Sequence, residues 1–286
     1  MLKFINDKKK VRKRQSYFLE TKDILSDLIG PKGSSLFLGK YSLNEVLAVL
    51  KKRSFVKDAQ KRNLWPLDYK MDSSEFPVQK FQIFYKECKP ENLIVDLKIR
   101  EGTFIPKKRV PECLLFSKYK FLILEWLTLQ NPLLSFSKDT MPLPGQKHPG
   151  LNLSRKVMDV FTYLARLCKA DGMLAFPAYF HNAILFSRYF NFFDPAKEAE
   201  ILAIRKAAVS IPFKQLAWIV YLNCLRREDG MLYEWIAEEQ VRPLNSDLKK
   251  YFNSKEYKDE VKRLQENLHF SIDWETYNKK ISQQTW

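Results

Sequence analysis

Glycine is scarce in this 286-residue chain, with eight in all, and histidine and cysteine are scarcer still, at three and four. Cys88, Cys113, Cys168 and Cys224 form no C-x-x-C pair, and His148, His181 and His269 are equally dispersed. That spacing argues against a structural zinc site, so no metal is expected, and a reducing, cytoplasmic setting is. No apolar run is long enough for a bilayer. The most apolar window, residues 121–129, is short and contains Glu125. The opening MLKFINDKKKVRKRQ has too few apolar residues before its basic run to supply a signal-peptide core. Internal repeats and low-complexity tracts are also lacking, and the chain reads as soluble.

What is present is apolar residues, aromatics and positive charge. Apolar residues make up 45% of the chain, enough for a packed core, which sets disorder aside. The net charge is +16, and residues 1–109 alone carry +12 of it. A basic first third suits an anionic partner: nucleic acid, a membrane surface or a phosphorylated cofactor. The run KKKVRKR at 8–14 has the composition of a basic arm, which either grips polyanion phosphates or is a solvated tail.

Hydrophobic periodicity orders the rest. A short helix is expected over 21–28, ended by Gly30, Pro31 and Gly33. Ser42 and Glu45 form a capping box ahead of Leu43, Val46, Leu47 and Leu50, and the helix continues or restarts through residues 54–63. Residues 78–85 and 92–99 alternate as strands, and 119–129 is apolar on both faces, as a central strand would be. Together they predict an antiparallel meander, with Gly102 in a connection.

The stretch LPGQKHPGLNLSRK, Leu143 to Lys156, then puts two of the eight glycines beside two prolines. Ser154 is expected to cap a helix with the stripe Val157, Phe161, Leu164 and Cys168, closed at Asp171-Gly172. A strand at 173–178 and a helix at 181–190 follow, with 119–129 and 173–178 as parallel neighbours. From Pro195 the chain reads as helical over 196–209, 212–227, 230–240 and 246–268. The expected organisation is a basic extension (1–40), an α/β domain with a mixed, mostly antiparallel sheet (41–194), and a helical C-terminal appendage (195–286).

Two places carry candidate chemistry. A loop that opens a helix aims free N–H groups outward, so an anion at 145–155 would be met by the N–H groups of Gly150, Leu151, Asn152, Leu153 and Ser154. Lys147 and Arg155 would add charge; the alternative is an ordinary turn and cap. Glu125 stands mid-strand in an apolar run. Buried, it would have a raised pKa suited to a general base; the alternative is a carboxylate at a sheet edge or paired with Lys or Arg.

Residues 119–193 resemble the core of the GNAT acyltransferase superfamily. FHNAILFSRYFNF (180–192) follows that family's last core helix, with Ala183, Ile184, Phe186 and Phe192 in register. GQKHPGLN is a looser version of its pyrophosphate loop, with Lys147 as leader, Gly150 in the glycine position and Asn152 in place of the final small residue. The family's tyrosine falls on Ser187, its asparagine on Phe180 and its late glycine on Asn191. The resemblance implies acyl transfer from acyl-CoA or acetyl-CoA to an amine. The 145–155 loop would hold the pyrophosphate, Asn182 would reach the donor, and Glu125 would act as base. The competing expectations are a non-catalytic scaffold that binds nucleic acid or another polyanion, and an assembly subunit with the helical region as its interface.

Overall fold

The computed structural model describes residues 36–104, 118–137 and 140–284. The basic run at 8–14 and the helix expected over 21–28 lie outside them.

Two short helices come first, α1 (Leu43–Lys52) and α2 (Phe55–Gln60). Ser42 and Glu45 make the expected capping box: the Ser42 N–H donates to the Glu45 carboxylate at 2.8 Å, and the Glu45 N–H to Ser42 Oγ at 3.3 Å. Strands β1 (Leu67–Asp72), β2 (Gln79–Tyr85), β3 (Leu93–Phe104) and β4 (Tyr119–Leu129) form the meander. β3 runs five residues beyond its expected end, so Gly102 lies within a strand. A Cβ there would sit 2.7 Å from Ile123.

Helix α3 (Ser154–Leu167) then crosses to β5 (Gly172–Ala175), which pairs with β4 in parallel, Phe121 to Leu124 against Gly172 to Ala175. Two local expectations are corrected here. Ser154 is the first helical residue, flanked by Leu153, and no side chain caps the helix. The helix also stops at Leu167, where Lys169 takes a positive φ, and Gly172 belongs to β5. α4 (Phe180–Phe186) follows, shorter than the sequence pattern indicated, and then β6 (Asn191–Phe192), a strand that pattern did not indicate.

The C-terminal third is α5 (Pro195–Ala207), α6 (Phe213–Tyr221), β7 (Leu225–Arg227), β8 (Gln240–Pro243), α7 (Ser246–Asn253), α8 (Lys255–Glu266), β9 (Phe270–Ile272) and α9 (Trp274–Ile281). It is not a helical appendage. β8 lies between β5 and β6 in the main sheet, whose order is β1-β2-β3-β4-β5-β8-β6, and every pairing but β4–β5 is antiparallel. Residues 230–240, expected as helix, run as loop. Tyr233 donates to the Glu200 carboxylate and the Trp235 indole to the Pro177 carbonyl, so tertiary hydrogen bonds replace the helical ladder.

Burial explains why β4 is apolar on both faces. Leu122 and Leu124 pack with Val157 and Phe161 of α3 on one side. Phe121 and Ile123 pack with Leu248, Tyr251 and Val261 of α7 and α8 on the other. The central strand needs the C-terminal third to cover its second face.

Candidate functional site

Past Leu124, β4 and β5 part company. β5 ends at Ala175, whereas β4 stays with β3 as far as Leu129, opposite Val95. The next contact on the β5 side of β4 is the Gln130–Gly150 bridge, with the Asn131 N–H donating to the Pro149 carbonyl at 2.7 Å. Gln130 itself donates the other way, to Ile94 of the neighbouring chain segment. Strand alternation therefore directs the N–H and C=O groups of Leu127 and Leu129 into the gap. Among the described residues, no strand pairs with that edge between Leu124 and Gln130.

Glu125 stands at the top of this gap, as the extra residue of a β-bulge: Ile99 faces Leu124 and Lys98 faces Trp126. A bulge turns a side chain out of the regular alternation. The burial expected for Glu125 is not found. It is exposed, and its carboxylate accepts a 2.7 Å hydrogen bond from Arg100 Nε, an ion pair across two strands. Gln130, where the loop arrives, is five residues further on, roughly 16 Å along the strand.

The loop reaches this edge already anchored. Lys214 donates to the Met141 carbonyl at 2.7 Å and the Trp218 indole to that of Pro142 at 2.8 Å. Gly145 has φ +76°, and a Cβ on it would lie 2.7 Å from the Tyr179 hydroxyl, so this position demands glycine. Gly150, the glycine singled out by the motif, does not. Its nearest neighbour would be the Leu129 carbonyl at 3.7 Å, ordinary contact. Leu151 and Leu153 turn their side chains into the core, and Asn152 takes φ +55° between them.

Ser154, Arg155 and Lys156 begin α3 at the surface, and their N–H groups have no intrahelical acceptor. With no side-chain cap, those donors are open to an anion. Lys147 and Arg155 are exposed, and Lys156 pairs with Asp58 on α2. Of the residues picked from the sequence, Gly150 to Arg155 gather at the lower end of the gap and Glu125 at the upper. Asn182 is half-buried on α4 and does not cap it. The Ser187 hydroxyl donates to the Ile184 carbonyl at 2.7 Å. Tyr189 packs against the core with the Arg242 guanidinium over its ring.

Comparison with protein-family models, curated proteins and solved structures returned no match for this chain. The site therefore rests on its own geometry.

Sequence reasoning missed a second feature beyond the end of β5. A cavity of about 190 Å³ is lined by Tyr179, His181, Tyr221, Glu234 and Trp235, among others. His181 is 5% exposed and lies face to face with the Tyr179 ring, 5.2 Å between centroids. Burial pushes its pKa down to about 4, so the imidazole is neutral at pH 7. The cavity is assembled from α4, α6 and the 230s loop. Only the cluster of aromatic residues on either side of His181 hinted at it.

Among the described residues, no group of three or more His, Cys, Asp or Glu side chains could share a metal ion. No helix among them is long and apolar enough to cross a membrane.

Proposed function

We propose that this chain is an acyl-CoA-dependent N-acyltransferase-like protein, with its donor bound along the open edge of β4. The observation that carries the reading is that edge: β4 has no strand partner on this side between Leu124 and Gln130, and the loop that meets Gln130 runs into an uncapped helix N-terminus. An extended ligand with amide groups can pair with a strand edge as another strand would. The pantetheine arm of CoA is such a ligand, and its length suits the distance from Glu125 to the loop. The pyrophosphate then meets the N–H groups of Ser154, Arg155 and Lys156, with the Lys147 and Arg155 cations beside it.

In this reading the thioester carbonyl lies near the bulge. The amine attacks it directly, the nitrogen–carbon bond forms, and the thiolate of CoA leaves. Glu125, held in place by Arg100, takes the amine proton through a water molecule. Ser187 has no part, because its hydroxyl is already committed to a backbone carbonyl. Acyl transfer is tested by following thiol release from acetyl-CoA in the presence of primary amines. The expected outcome is amine-dependent release, reduced about 10²–10⁴-fold by Glu125→Gln and unchanged by Ser187→Ala. CoA binding with no turnover for any amine would reject the transferase and leave a donor-binding scaffold.

A further inference from the structure

A cavity of about 390 Å³ is neither the cleft nor the His181 cavity. It lies between α1, α2 and α3 on one side and the sheet on the other. Its floor is Phe81, Ile83 and Val95, and Val49, Val160 and Leu164 wall it. Protein interiors leave few voids larger than a water molecule. An apolar cavity of ~150 Å³ already takes up benzene, so one of this size has room for a considerably longer aliphatic group.

Its rim is charged, and unevenly. Arg53 lies over the Tyr163 ring at 4.9 Å, and no carboxylate pairs with it among the described residues. Lys156 is held by Asp58. The one rim carboxylate, Glu45, is turned back onto the start of its own helix, bonded to the Ser42 N–H and hydroxyl. An apolar interior with a cationic mouth suits a long aliphatic tail that ends in an anion.

We infer that this cavity binds a straight aliphatic chain of medium length with an anionic head, Arg53 taking the head. The chain could arrive as a free fatty acid, whose anion is its carboxylate, or as the acyl group of a thioester, whose anions are the phosphates of its carrier, and the inference does not depend on the transferase reading. Lys156 and Val157 line the cavity from the first turn of α3, the same turn that closes the β4 cleft. An acyl chain tethered to a ligand in that cleft would therefore start close to the cavity.

The test is calorimetric titration of the full-length protein with decanoate, butyrate and decanol, without CoA. Decanoate should bind and butyrate should not. Arg53→Ala should weaken decanoate about tenfold or more while leaving decanol unchanged. Val160→Trp fills the cavity and should abolish binding. Ala48→Phe, at a lining residue on the solvent-exposed mouth of the cavity, obstructs it if Val160→Trp does not fold. Displacement of decanoate by decanoyl-CoA admits the thioester as a source; decanoyl-CoA that leaves decanoate bound restricts the source to the free acid. Failure of the full-length protein to take up decanoate, as would follow if another part of the chain fills the cavity, overturns the inference. So does unaltered binding in the cavity-filling variants. Because the decanoate, butyrate and decanol titrations contain no CoA, their outcome is separate from that of the acyl-transfer assay.

Discussion

His181 is a buried base with a depressed pKa, and this has a consequence for stability. The unfolded imidazole titrates near its ordinary value of 6.5, and the folded one at about 4. Between those values the unfolded chain binds the extra proton, so stability falls as pH drops from about 6.5 to about 4. The loss is on the order of 3 kcal/mol for His181 alone. Urea unfolding of the wild type and His181→Phe across that range should show the step in the first and not in the second; an identical step in both would assign it elsewhere. At the same scale, Glu125 could be picked from the sequence because a carboxylate interrupts an apolar run. Its partner could not. Arg100 is 25 residues away, and only the register of β3 on β4, together with the bulge, puts the two side chains together.

At the scale of elements, alternation and a capping box were sufficient for α1, β2, β3 and β4, and the long apolar stripe alone for α3, whose expected Ser154 cap is absent. They failed where tertiary contacts decide. Residues 230–240 have helix-compatible composition, yet the buried ring of Tyr233 and the indole of Trp235 hold them extended. β8 is four residues long, too short to show a period, and is fixed by its neighbours on both sides. β1 does carry the signal, with Leu67, Tyr69 and Met71 alternating. The glycines separate motif from geometry. A Cβ on Gly172 would lie 2.6 Å from the Phe121 ring and 2.9 Å from the Arg242 carbonyl, trapped between β4 and β8. Gly172→Ala should cost about 1–3 kcal/mol in thermal or urea unfolding. Gly150→Ala should stay within about 0.5 kcal/mol. The reverse order would contradict this packing.

On the scale of the whole molecule, one parallel pair in an otherwise antiparallel sheet creates the candidate site. Helix α3 must cross over between β4 and β5, and where β5 stops the longer β4 is left with an open edge. The parallel pair was legible from the strand–loop–helix–strand order. The contribution of the C-terminal third was not, because covering the second face of β4 and inserting β8 are both long-range choices with no local pattern. The central claim is that the β4 edge and the start of α3 bind CoA. Gly150→Asp tests it cleanly, since the site has room for a side chain, and the new carboxylate would oppose the pyrophosphate. Calorimetric titration of CoA should show binding to the wild type, weakened by about 1.5–3 kcal/mol in Gly150→Asp, with the melting temperature unchanged. A folded variant that binds CoA as tightly as the wild type, or a wild type that does not bind CoA, would contradict it.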